Sequence, residues 1–148
     1  MSDQAHSPLD SPGTIHGSAV ALGPRGLLIL GPSGSGKSGL ALSLMACGAV
    51  LVADDRVALS LRDGVPWLCA PPGISGMIEA RHLGLLSADA AEGAWLALVV
   101  DLSTTETDRL PPRREVAVLG HAIPLVHKVE SAHFAPAILQ YLKAGRCA

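Results

Sequence analysis

The sequence predicts a single α/β domain built round a phosphate-binding loop. Three observations carry that expectation. G-x-x-x-x-G-K-S runs from Gly31 to Ser38, the pattern of a loop that cradles nucleotide phosphates. It lies between LLIL (27–30), a wholly apolar run suited to a buried strand, and SGLALSLMAC (38–47), where Leu40 and Leu44 stand at helical spacing. Short apolar runs rich in β-branched residues then recur along the chain, and a second helical pattern closes it.

The 148 residues fit one domain. Apolar residues make up 49% and aromatic ones 3%, so the core is built from Ala, Val, Leu and Ile. Charged residues are 16% and the formal net charge is −2, which gives no electrostatic case for nucleic acid as a partner. Cys47, Cys69 and Cys147 show neither metal-ligand spacing nor a secreted disulfide framework. The start, MSDQAHSPLDSPG, lacks the apolar core of a signal peptide. No run approaches the roughly 20 apolar residues of a membrane span. The expected compartment is the cytoplasm, with no membrane partner.

Residues 1–13 read as a disordered lead, polar and containing Pro and Gly, and 14–148 as the domain. TIHGSAVAL (14–22) reads as a strand and GPRG as the turn into LLIL. After the loop and its helix, Gly48 is a stop signal. AVLVADD (49–55) reads as a second buried strand ending in two carboxylates. RVALSLRDGVPWLCA reads as a hairpin turning at Asp63-Gly64, and PPGISG as a loop. MIEARHLGLL fits either a short helix or an irregular connector. AWLALVVDL (94–102) reads as a strand and TTETDRLPPRR as a polar loop; EVAVLG and IPLVHKV read as paired strands. SAHFAPAILQYLKAGR reads as the last helix, starting near Ala135 because of Pro136. Trp67 and Trp95 read as core.

In the loop, Gly31, Pro32, Ser33, Gly34, Ser35 and Gly36 would turn backbone N–H groups toward phosphate oxygens. Lys37 would reach the β- and γ-phosphates and Ser38 would ligate Mg²⁺. The helix N-terminus adds its dipole to the same anion. A second pattern overlaps: Gly34, Gly36 and Gly39 spell G-x-G-x-x-G with Asp54 about 20 residues beyond, as in dinucleotide sites. Gly34 comes three residues too late after the strand for that role, and a Lys-Ser pair serves a triphosphate, not a pyrophosphate bridge. Asp54 and Asp55 end a strand at the side where ligands collect. Strand alternation should turn only one of them to the phosphates, as a reactive group, a metal ligand or a turn former. His16 by itself reads as an ordinary polar residue. Glu79, Arg81 and His82 form a polar cluster, and Arg109, Arg113 and Arg114 flank Pro111 and Pro112.

Together these residues resemble the catalytic domain of bacterial HPr kinase/phosphorylase. The matching pieces are IHG (15–17), GPSGSGKS (31–38), VADDRV (52–57), APPGISGMIEARHLGLL (70–86) and VLGHAIPLV (118–126). Ala53-Asp54-Asp55 and the pattern Ile78, Glu79, Arg81, Leu83, Gly84 are far more specific than the phosphate loop. The resemblance implies a mixed β-sheet with a phosphate loop and flanking helices, of that family's catalytic-domain type. It implies ATP-dependent transfer of phosphate to a serine of HPr, the small phosphocarrier of the sugar phosphotransferase system, or of a paralogue. His16 would match the active-site histidine, Lys37 would hold the γ-phosphate, and Ser38 and Glu79 would match the Mg²⁺ ligands. Asp55 would take the serine proton. One of Arg109, Arg113 and Arg114 would match a late active-site arginine. Family members assemble as hexamers, so a homo-oligomer is expected.

Full-length members carry a further N-terminal domain, and only a dozen or so residues precede IHG here, so a short form is expected. The family segment tied to the reverse, phosphorylase reaction has no clear counterpart in VHKVESAHF, so the kinase direction is the expected one. Two other readings stand beside this: a nucleotide-sensing regulatory module and a phosphate-loop kinase for a small metabolite. The Arg-rich lid of the latter is approached only by PPRR.

Overall fold

The structure, a computed structural model, describes residues 7–148. Residues 1–6 of the polar lead lie outside the described residues. Over 7–12 the chain forms a turn, and Leu9 is buried, its carbonyl accepting from Leu119 N at 2.8 Å.

The strand expected over 14–22 divides into β1 (Gly13–His16) and β2 (Ser18–Leu22) at Gly17. A Cβ at Gly17 would stand 2.8 Å from the Ile29 carbonyl oxygen, so only glycine lets the chain pass β3 (Arg25–Leu30) this closely. β2 and β3 form the expected hairpin, and the loop leads from β3 into α1 (Lys37–Ala46). β4 (Val50–Ala53) follows, then β5 (Arg56–Arg62) and β6 (Val65–Cys69). Between β5 and β6, Asp63 and Gly64 have φ 53° and 76°, the two positive values of a type I′ hairpin turn. β9 (Ala94–Thr105), β10 (Arg114–Val118), β11 (His121–Lys128) and α2 (Phe134–Ala144) complete the domain. Pro136 sits in the first turn of α2, where its missing N–H has no helical partner to lose.

Two expectations need correction. MIEARHLGLL is neither helix nor irregular connector: it folds as the hairpin of β7 (Met77–Ala80) and β8 (Gly84–Ser87). Only Ile78 in β7 is fully buried, so the alternation that marks a strand is almost absent from the sequence. The polar loop expected from Thr104 also begins later, because β9 runs on to Thr105.

Among the described residues, nine strands form one mixed sheet in the order β1-β5-β6-β9-β3-β2-β4, with β11 and then β10 branching from β9. One edge of β9 is shared: β6 pairs antiparallel with its first residues, and β11 pairs parallel with its later ones. The other edge pairs parallel with β3. Leu27, Ile29, Leu98 and Val100 face the two helices, while Leu28 and Val99, one residue out of phase, face the opposite side. The central strands are thus apolar on both faces, which is why LLIL shows no alternation. Both helices pack on one face, through Leu44 of α1 and Ile138 and Leu142 of α2. The other face is covered by the sheet curling over itself, with Val57 and Leu59 of β5 closing on Leu28 and Val52. Full burial of such a side chain contributes about 1.5–3 kcal/mol relative to exposure.

Trp67 and Trp95 face each other across β6 and β9, edge to face at 4.7 Å, and Arg62 lies 4.4 Å over the Trp67 ring. Both rings are half-buried in the sheet rather than in the helical core. The three cysteines are free. Among the described residues, no helix is long and apolar enough to cross a membrane.

Candidate active site

The loop between β3 and α1 forms one wall of a cavity of about 390 Å³. Ser33, Gly34, Gly36, Lys37 and Ser38 line it, and Gly31, Pro32 and Ser35 of the same loop do not. Gly36 precedes α1 at φ 98°, with nothing within 4 Å of where a Cβ would be, so the loop wall is bare backbone. No side chain caps α1, and its first turn holds no acid. The N-terminal amides and the positive end of the helix dipole are therefore left for an anion. Lys37 is 8% exposed, and its Nζ donates to the carbonyls of Gly31 at 2.8 Å and Pro32 at 3.1 Å, which holds the ammonium beside the loop.

The opposite wall comes from the ends of β1 and β4. β4 stops at Ala53, and the strand alternation expected to separate Asp54 from Asp55 stops with it. Arg56 N donates to Asp54 O at 2.7 Å, with Asp55 at φ 67° between them. This is a three-residue γ-turn with positive φ, a rare and strained form that Asp tolerates better than most residues. Of the two carboxylates Asp55 alone lines the cavity, as expected, while Asp54 is buried; a turn beyond the strand, not strand alternation, separates them. The junction is pinned from β1 and β2 as well, since Gly17 N donates to Asp55 O at 3.1 Å.

The two carboxylates have different surroundings. Asp54 is 8% exposed. Its Oδ1 accepts from the hydroxyls of Ser18 and Ser38, both at 2.7 Å, and its Oδ2 from the Glu79 backbone N–H at 3.0 Å. Asp55 is exposed and lines the cavity, with His16 Nε2 at 3.1 Å from its Oδ1 and Arg56 Nε at 4.0 Å from its Oδ2. β7 supplies Glu79 to the rim, and Arg81 follows at the hairpin turn.

His16, Lys37, Ser38, Asp55 and Glu79 thus meet at one cavity although 63 positions separate the first from the last. The arginines of the PPRR region do not join them. Arg114 makes a paired contact with Glu106 at 3.2 and 3.1 Å, Arg113 donates to the Arg146 carbonyl at 3.4 Å, and Arg109 is exposed. Arg114's hydrogen bonds hold the Glu106 carboxyl below the ordinary carboxylate range, against the upward push of burial. Sequence reasoning missed Ser18. The available signal was a hydroxyl inside an otherwise apolar strand, directly after His16-Gly17.

These residues suit a Mg²⁺–nucleotide. The loop offers amides and an ammonium, and Ser38 and Glu79 offer hard oxygen ligands. Among the described residues no three His, Cys, Asp or Glu side chains cluster as a metal cage. Mg²⁺ on a nucleotide does not require one, because it keeps waters and takes phosphate oxygens.

Strand β3, the loop, the uncapped helix and the carboxylates beyond β4 define a phosphate-loop α/β domain. A family model described as HPr Serine kinase C-terminal domain matches residues 8–124, and the chain belongs to that family. HPr kinase/phosphorylase of Clostridium tetani is 40% identical over 90 residues, covering 61% of this chain and 29% of the relative. That of Limosilactobacillus reuteri is 32% identical over 126 residues, covering 76% and 39%. That of Bordetella petrii is 46% identical over 74 residues, covering 49% and 24%. The matches therefore span well under half the length of these relatives. The solved structure of the Hpr(Ser) kinase/phosphatase from Coxiella burnetii superposes with a TM-score of 0.72 at 20% identity, covering 88% of each chain, which establishes the shared fold.

Proposed function

We propose that this chain is an ATP-dependent kinase domain that transfers phosphate to a serine hydroxyl of an HPr-type phosphocarrier protein. One observation carries the reading: an exposed carboxylate, Asp55, steadied by His16, lies in the same cavity as the bare loop and Lys37. The names of the relatives supply the acceptor.

A serine hydroxyl is a poor nucleophile at neutral pH, and a placed carboxylate takes its proton as it attacks. Asp55 has that role. The serine oxygen bonds to the γ-phosphorus, the bond from that phosphorus to the β–γ bridging oxygen breaks, and ADP leaves. Lys37 and the loop amides hold the phosphates in line and offset their developing charge. Lys37 exchanges its contacts to Gly31 and Pro32 for phosphate oxygens. Ser38 and Glu79 would hold Mg²⁺, which would supply positive charge to offset that of the phosphates. His16 keeps Asp55 aimed across the cavity. The kinase direction is the one proposed, in a homo-oligomer that the family's hexamers suggest.

The test is incubation of the protein with Mg²⁺-ATP and HPr-type proteins, read by intact mass and site mapping. One phosphoryl group on a serine is the expected product. Nucleotide hydrolysis with no acceptor labelled would point to a sensing or ATPase module instead.

A further inference from the structure

Resting on the kinase reading above, we infer that Ser18 is a positioning residue: acting through Asp54, it keeps Ser38 and Glu79 in the register that a divalent cation needs. Ser18 is fully buried in β2, whose other residues are all apolar. A buried hydroxyl is costly unless it is bonded. Its partner is Asp54 Oδ1 at 2.7 Å.

The same oxygen accepts from Ser38 Oγ at 2.7 Å, and the other carboxylate oxygen takes the Glu79 N–H at 3.0 Å. One side chain therefore ties β2, the first turn of α1 and β7 together. These are the elements that carry Ser18 and the two cation ligands of the proposed site. Short hydrogen bonds to a carboxylate are the stronger kind. With its hydrogen held on Asp54, the Ser38 oxygen presents its lone pairs away from the carboxylate, toward the cavity. The terminal torsion of an Asp is broad and weakly fixed by itself. The Ser18 hydroxyl supplies the restraint from the buried side. Removing it frees Asp54 to rotate, and both the Ser38 proton and the Glu79 amide lose a fixed acceptor. Groups that orient metal ligands in this way are worth about 10–100-fold in metal affinity or activity.

The experiment compares wild type with Ser18→Ala by calorimetry, using a non-hydrolysable ATP analogue with and without Mg²⁺, and records the melting point of each. Affinity without Mg²⁺ is expected to stay within about twofold, while the gain on adding Mg²⁺ shrinks about tenfold. Should Ser18→Ala fail to fold, Ser18→Cys, close in size but a weak donor, carries the same expectation. A lower melting point with the full Mg²⁺ gain marks a merely structural hydroxyl and overturns the inference. So does a wild type that binds the analogue with no Mg²⁺ gain. A wild type that binds no nucleotide overturns the kinase reading, and this inference with it.

Discussion

Lys37 at the start of α1 and Glu79 on β7 line the same cavity and act on different things. Lys37 meets the nucleotide in both ground and transition states, so Lys37→Ala is expected to weaken analogue binding and slow transfer together. A charged hydrogen-bonding group of this kind accounts for about 10–100-fold in affinity. A variant that loses turnover while binding at full strength would contradict that role. Glu79→Ala is expected to raise the Mg²⁺ concentration needed for half-maximal transfer, by at least about tenfold. An unchanged Mg²⁺ titration would remove Glu79 from the metal shell. Much of the residue-level site was legible: the loop spacing gives Lys37 and Ser38 a physical role, and the family resemblance picks out His16, Asp55 and Glu79. Ser18 was not, because a serine at a strand start has no spacing of its own to read. Of Asp54 and Asp55 only one lines the cavity, as expected, but a γ-turn beyond β4, its Asp55 carbonyl bonded to Gly17 N, sets them apart where strand alternation was the reason expected.

At the scale of elements, the β7–β8 hairpin is where the sequence said least. Its strands are four residues each, and Leu83 and Leu85 are largely exposed, so no buried stripe betrays the period. Ile78 anchors it, packing in the helical core one residue before Glu79 in the same strand. Ile78→Ala is expected to cost about 2–5 kcal/mol in denaturant unfolding and to raise the Mg²⁺ requirement as well. Lost stability with an unchanged Mg²⁺ requirement would show that the hairpin does not position Glu79. A second tie joins the end of β9 to β10, where Glu106 is paired with Arg114. The Glu106 carboxyl is held low by that pairing. Its contribution to stability is present above the ordinary carboxylate range and is lost as pH falls through the lowered value. Glu106→Gln is therefore expected to flatten the acid side of the stability profile and leave neutral-pH transfer intact. An acid limb identical to wild type would show that the pair contributes nothing. By contrast the Asp63-Gly64 turn was read correctly, because its two positive φ values admit few other residues.

For the whole molecule, the sequence pattern announced both helices and the strands of the large sheet, but neither the β7–β8 hairpin nor the order of strands. LLIL announces a buried strand without saying what covers each face. Two helices cover one face and the curled sheet the other, and β9 shares one edge between β6 and β11. Such an arrangement depends on long-range pairing that no local pattern encodes. It matters for function because parallel β3 and β9, with β4 beyond β2, place the loop and the strand-end carboxylates on the same side of the sheet. The most direct measurement is made on Asp55→Asn: the rate of phosphate transfer to an HPr-type serine beside the affinity for Mg²⁺-nucleotide. Transfer is expected to be slower by about 10²–10⁴-fold with affinity close to wild type. Transfer at the wild-type rate would remove Asp55 as the proton acceptor and contradict the account at its centre.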